Sequence, residues 1–227
     1  MAEPNPEELV DLGMLSYDKQ DFSKARKYFE RACGLNNGRG CNNLGVLYRD
    51  GQGVEKNLTK AAQFYSKACG LKDGRGCFNL GRLYYFGQGV EKNLTKASQY
   101  FSKACGLNNS GGCGALGMQY EYGQGVKKNL IKATQFYSKA CDLKDGRGCG
   151  SLGDLYENDQ GVEKDLIKAA YFYSKACDLN NGGGCKNLGV LYHNGEGVEK
   201  DLIKADQYFS KACKLGDQEA CEILKEK

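Results

Sequence analysis

A thirty-six-residue period governs this chain. Residues 41–76 read CNNLGVLYRDGQGVEKNLTKAAQFYSKACGLKDGRG, and the pattern returns at 77–112, 113–148, 149–184 and 185–220 without insertion or deletion. All twelve cysteines keep the same register: Cys33, Cys69, Cys105, Cys141, Cys177 and Cys213 form one series, and Cys41, Cys77, Cys113, Cys149, Cys185 and Cys221 the other. A fixed period of this size restricts a chain to stacked units. Each unit buries the apolar face its neighbour leaves bare, so stability is roughly a nearest-neighbour sum.

Within one unit, Cys41, Leu44, Gly45 and Tyr48 are spaced i, i+3, i+4, i+7, which is one face of a helix, and Ala61, Phe64, Tyr65 and Ala68 repeat that spacing. Gly51 follows the first segment, where a helix end often needs positive φ; its counterparts are Gly87, Gly123 and Gly195, with Asp159 in the fourth copy. Asn57, Asn93, Asn129, Asp165 and Asp201 precede the second segment and are suited to cap its free amides. The unit is therefore helix A, a glycine-containing loop, then helix B. Gly45, Ala61 and Ala68 allow close helix approach, and Leu44, Tyr48, Phe64 and Tyr65 fill the space.

The pattern L-G-x-x-Y-x-x-G-x-G-V, then K-A-x-x-x-Y-x-K-A, resembles the Sel-one-like repeat, an α/α relative of the tetratricopeptide repeat. Leu44, Gly45, Tyr48, Gly51, Gly53, Val54, Lys60, Ala61, Tyr65 and Ala68 carry the match in the first full unit. Two cysteines per repeat make the chain similar to the Helicobacter cysteine-rich proteins. The expected fold is all-α, a right-handed α/α superhelix with one disulfide per repeat. Expected boundaries are a loose leader at 1–6, a modified tetratricopeptide-like repeat at 7–40, five repeats at 41–76, 77–112, 113–148, 149–184 and 185–220, and a capping helix at 221–227. The resemblance also implies penicillin binding with slow β-lactam hydrolysis.

The cysteines form six C-x7-C pairs. Zinc sites favour shorter spacings, usually with histidine, and the chain has a single histidine, His193. Disulfides fit better, because an antiparallel connection between helix B and the next helix A brings the two β-carbons close. Cys33–Cys41, Cys69–Cys77, Cys105–Cys113, Cys141–Cys149, Cys177–Cys185 and Cys213–Cys221 are the local choice among many connectivities. Such bridges persist in oxidising compartments, so a secreted or periplasmic protein is expected, its signal peptide already removed.

A net charge of +4 from 32 basic and 28 acidic residues leaves no footprint for nucleic acid or membrane partners. No run approaches the roughly 18 apolar residues of a membrane span. No cofactor or metal is expected, and a monomer is. GQGVEKN looks like a phosphate-binding glycine run, but it follows a helix and recurs in every copy; it reads as a loop with Val54 plugging the helix pair. Asn57-Leu-Thr and Asn93-Leu-Thr match a glycosylation sequon and read as helix caps. Ser16-Tyr-Asp-Lys19 is the one S-x-x-K, and neither S-D-N nor K-T-G is present, so the serine β-lactamase set is incomplete. A zinc β-lactamase needs several histidines. Catalytic residues stay unassigned.

Function is sought where faithful copies differ. Helix B barely varies, whereas one face of helix A does. Along it lie Val46 and Arg49; Phe78, Arg82, Tyr85 and Phe86; Met118, Glu121 and Tyr122; Asp154 and Glu157; and His193. The tetratricopeptide resemblance implies that this face lines a concave groove, with Asn43, Asn79 and Asn187 placed to hold a peptide backbone and Arg39 and Arg75 to hold a carboxylate. The expected ligands are an extended peptide, a muropeptide or a host protein, with β-lactams as the alternative.

Overall fold

The structure is a computed structural model describing residues 4–226. Met1–Glu3, half of the expected leader, lie outside the described residues, as does Lys227 at the end of the expected capping segment. The described residues form α-helices and no strands. Two compact units comprise residues 1–112 and 113–227.

The first unit contains α1 (Pro6–Asp18), α2 (Phe22–Gly34), α3 (Gly38–Asp50), α4 (Leu58–Gly70), α5 (Gly74–Phe86) and α6 (Leu94–Gly106). There α1 packs on α2, α3 on α4 and α5 on α6, while α2–α3 and α4–α5 contacts join successive pairs. Next comes α7 (Ser110–Tyr122). The second unit holds α8 (Leu130–Asp142), α9 (Gly146–Glu157), α10 (Leu166–Asp178), α11 (Gly182–Asn194), α12 (Leu202–Lys214) and α13 (Gln218–Lys225). Its pairs are α9–α10 and α11–α12, with α8 against α9, α10 against α11, and α12 against α13.

Why each pair closes is visible in the residues that recur. Ala61, Tyr65 and Ala68 on α4 are fully buried, as is Leu47 on α3. A β-carbon added at Gly45 would stand 2.7 Å from the Tyr65 ring, so the bare backbone of α3 is what admits a tyrosine from α4. Tyr48 stacks on Phe64 with centroids 5.4 Å apart, and the Lys60 ammonium lies 5.3 Å from the Tyr48 centroid. The same trio recurs as Tyr84, Tyr100 and Lys96, as Tyr120, Phe136 and Lys132, as Tyr156, Phe172 and Lys168, and as Tyr192, Tyr208 and Lys204. Each stacked ring pair contributes about 0.5–1.5 kcal/mol beyond its buried area, and each exposed cation about 0.5–1 kcal/mol. This is the physical content of the tyrosine and lysine in the repeated pattern.

Helix ends follow the sequence closely. Asn57, Asn93, Asn129, Asp165 and Asp201 are N-caps, each accepting a hydrogen bond from the amide three residues on. Gly51 closes α3 at φ 72°. Asp159 takes φ 55° at the equivalent place, and α9 is one residue shorter than its counterparts, ending at Glu157. Val54, Val90, Val162 and Val198 pack against the cores as the loop plugs expected of them. At the N-terminal end, Asn5 and Glu8 form a capping box and Pro6 is already helical, so the described part of the leader is shorter than six residues allow. Asp217 caps α13, which therefore begins at Gln218 rather than at Cys221.

The cysteine expectation is met. Cys33–Cys41, Cys69–Cys77, Cys141–Cys149, Cys177–Cys185 and Cys213–Cys221 are bridged, with Cα atoms 4.5–4.8 Å apart. Cys105 and Cys113 are disulfide-bonded too, and no cysteine is free. Each bridge ties helix B to the following helix A.

Candidate ligand-binding face

Four side chains on α5 stand together in the first unit. The Phe78 ring lies 5.8 Å from Phe101, the buried aromatic that α6 sends beneath Gly81. The Arg82 guanidinium is 5.9 Å from the Phe78 centroid. Tyr85 meets Phe86 edge-on at 4.9 Å and tilts over Phe101 at 6.5 Å. Arg82 is exposed, and Phe86 keeps 54% of its surface open. The spacing i, i+4, i+7, i+8 on one helix aligns them; Phe78 and Tyr85 rest on Phe101, Arg82 sits over Phe78, and Phe86 meets Tyr85.

Other sequence-selected residues are less available. Asn79 donates to Asn42 Oδ1 at 2.9 Å, Asn42 donates to Asn43 Oδ1 at 3.3 Å, and Asn43 donates to Met14 Sδ at 3.4 Å. These amides tie successive A helices together, where the resemblance implied a grip on ligand backbone. Arg39 pairs with Glu7 at 3.2 Å, and Arg75 is exposed on the first turn of α5. Val46 packs against the core that surrounds Tyr65. Arg49 forms a two-pronged pair with Asp50, both contacts 2.7 Å, and this bond raises its pKa further.

The second unit presents a face of opposite sign. Tyr137 donates to Glu121 Oε2 at 2.6 Å. The Tyr173 hydroxyl lies 2.7 Å from Asp154 Oδ1 and 2.5 Å from Glu157 Oε2, its one proton shared between the two carboxylates. Asn187 also donates to Asp154 Oδ1, at 3.2 Å. Asp154 is exposed at the surface, yet the atoms packed around its carboxyl raise its pKa, with the Glu157 and Glu121 charges adding to the shift and the Tyr173 and Asn187 bonds opposing it. Burial, then the bonds to these carboxylates, raises both phenols. Tyr122 is 64% exposed, and the adjacent Glu121 charge raises its phenol. Met118 packs on the core around Tyr137, and His193 is exposed in the last turn of α11.

The tyrosine hydroxyls are what sequence reading passed over. Helix B reads as nearly invariant, but one of its positions switches between phenylalanine and tyrosine: Phe29, Tyr65, Phe101, Tyr137, Tyr173, Phe209. That switch was the available signal, because a hydroxyl there reaches the variable face of helix A.

Ser16 sits in the last turn of α1, nearly buried, donating its hydroxyl to Leu12 O at 2.9 Å. Lys19 is the residue that caps that helix.

The Sel1 repeat profile matches residues 13–37, 38–73, 74–109, 112–145, 148–181 and 184–217, nearly the whole chain. The chain belongs to the Sel1 repeat family. Over 58 residues, 26% of this chain, it is 64% identical to HcpC of Helicobacter pylori. It is 53% identical over 58 residues to a Helicobacter pylori protein named beta-lactamase HcpA. Those stretches span only 20% and 23% of the two relatives. A Sel1 repeat protein from Oxalobacter formigenes superposes with a TM-score of 0.86 at 28% identity, covering 95% of this chain and 86% of that one. Sel1 repeats thus account for the all-α fold, and the cysteine pairs ally this chain with the Helicobacter cysteine-rich proteins. No helix among the described residues is long and apolar enough to cross a membrane.

Proposed function

We propose that this chain is a disulfide-stapled interaction protein of an oxidising compartment, secreted or periplasmic, and that the α5 face of its first unit binds an extended segment of a partner protein. The observation that carries this reading is the cluster of Phe78, Arg82, Tyr85 and Phe86. These residue types occur together in one copy, so the shared core does not require them; Arg82 and Phe86 are exposed, and Phe78 and Tyr85 are half-buried against Phe101. Large aromatics and arginine dominate interface energies, often at more than about 2 kcal/mol each. Bridged cysteines throughout support the compartment, since such bonds persist where thiols are not kept reduced. A solenoid unit with one variable face is suited to polypeptide ligands.

The test is selection of a displayed random peptide library, and separately a muropeptide panel, on the oxidised chain. The winning ligand is then measured against Tyr85→Ala and Phe86→Ala. Either substitution should weaken binding about tenfold or more, the effect of losing roughly 1.4 kcal/mol, while the helical circular-dichroism spectrum at the assay temperature stays that of the folded parent. Selected ligands that bind both variants normally would remove α5 from the binding face.

A further inference from the structure

Tyr65, Arg49 and Arg82 occupy the same three repeat positions as Tyr137, Glu121 and Asp154, seventy-two residues later. The tyrosine is common to both sets and the charges are inverted. In the second unit the tyrosine proton has an acceptor from its own chain, Glu121 Oε2 at 2.6 Å. Tyr173 repeats the arrangement with Asp154 and Glu157. In the first unit Tyr65 is fully buried, and its hydroxyl proton meets no acceptor among the described residues; the group beside it is the Arg49 guanidinium. Burial pushes its phenol up to about 12, against the opposing influence of Arg49 and, more weakly, Arg82. Both guanidiniums can only donate, so neither satisfies the tyrosine proton. Asp50, whose charge Tyr65 also feels, has both oxygens on Arg49.

We infer that Tyr65, Arg49 and Arg82 form a carboxylate-binding site, which takes from a partner polypeptide the acidic group that the second unit supplies to its own tyrosine. A carboxylate placed there would accept from the Tyr65 hydroxyl and from guanidinium N–H groups, satisfying a buried donor and two cations at once. The Arg49–Asp50 pair does not close the site. It joins adjacent residues at a half-exposed surface, where ion pairs are weak and exchange readily. Phe78, stacked under Arg82, holds that guanidinium at the α5 end. The inference rests on the α5 face being the binding face and adds the chemistry of one group of the ligand. An acidic side chain and a C-terminal carboxylate share that chemistry.

The experiment follows the arginine Nε–H resonances of the full, oxidised chain by proton–nitrogen NMR. The titrants are Ac-Ala-Glu-Ala-NH2, Ac-Ala-Ala-Ala-OH, the control Ac-Ala-Gln-Ala-NH2, and acetate. At least one of the two carboxylate peptides should shift Arg49 and Arg82 at millimolar concentration, and the glutamine peptide should not; which peptide binds tighter names the source of the carboxylate. Arg49→Gln should weaken that peptide about tenfold, the loss of one charge-assisted bond. Tyr65→Phe should weaken it severalfold without lowering the melting temperature, because its hydroxyl has no acceptor to lose in the free protein. Tyr173→Phe, which removes the proton shared by Asp154 and Glu157, should lower the melting temperature. Three results would overturn the site: no arginine shift with either carboxylate peptide, acetate binding as tightly as the peptides, or equal destabilisation by Tyr65→Phe and Tyr173→Phe. If the arginines fail to shift while Tyr85→Ala still abolishes binding of a selected peptide, the carboxylate site falls and the aromatic face stands.

Discussion

Replacing Cys69 and Cys77 together by alanine removes one staple and leaves the others in place. The bridge joins the end of α4 to the first turn of α5, with Cα atoms 4.5 Å apart and the two cysteines eight positions apart in sequence. In the folded state that turn is already held without sulfur: Asp73 N donates to Ala68 O at 3.0 Å, and Gly76 N donates to Asp73 Oδ1 at 2.8 Å. The staple therefore acts chiefly on the unfolded chain, where closing so short a loop removes about 2–3 kcal/mol of conformational freedom by the chain-entropy argument. Cys77 is fully buried, so losing its sulfur also leaves a small void costing up to about 1 kcal/mol. The sum, about 3 kcal/mol, should lower the melting temperature by roughly 6–12 °C in a chain of this length. Circular dichroism at 222 nm on oxidised protein, parent against double variant, reads it directly. A fall of less than about 2 °C would show that the hydrogen-bonded turn restricts the unfolded chain as much as the bond does, and the entropic account would be wrong.

Asp159→Gly should stabilise the protein by about 1 kcal/mol, because a non-glycine residue at φ 55° carries backbone strain that glycine lacks; a higher urea midpoint at unchanged slope is the expected result, and an unchanged or lower midpoint refutes it. Asp154→Asn probes pH dependence. A carboxyl whose pKa is raised on folding contributes stability that is fully present below the unfolded value of 3.8 and is lost as pH rises through the raised folded value. The asparagine variant, which never ionises, should therefore gain on the parent between pH 3.5 and pH 7 in urea midpoint; a gain in the opposite direction would reverse the assigned sign.

The repeat length, the helix pair and the local disulfides were all legible in residue order, because each depends on contacts within a few turns. Asn57 caps the helix that starts beside it, Gly51 ends the helix that stops before it, and Cys33 and Cys41 face each other across one turn. The period then guarantees that a local solution found once is repeated. The variable face of helix A was legible for the same reason, since its spacing is that of a single helix. What each side chain on that face touches was not. Asn43 and Asn79 spend their amides on the preceding A helix, and Ser16 turns its hydroxyl back on Leu12, so residues chosen by pattern prove to be occupied. The partners of Tyr65, Tyr137 and Tyr173 lie on a different helix, sixteen to nineteen residues away where they are found at all. Whether a buried hydroxyl meets a carboxylate or a guanidinium depends on how two helices pack across Gly45, Gly117 or Gly153, and that distance exists only in the folded chain.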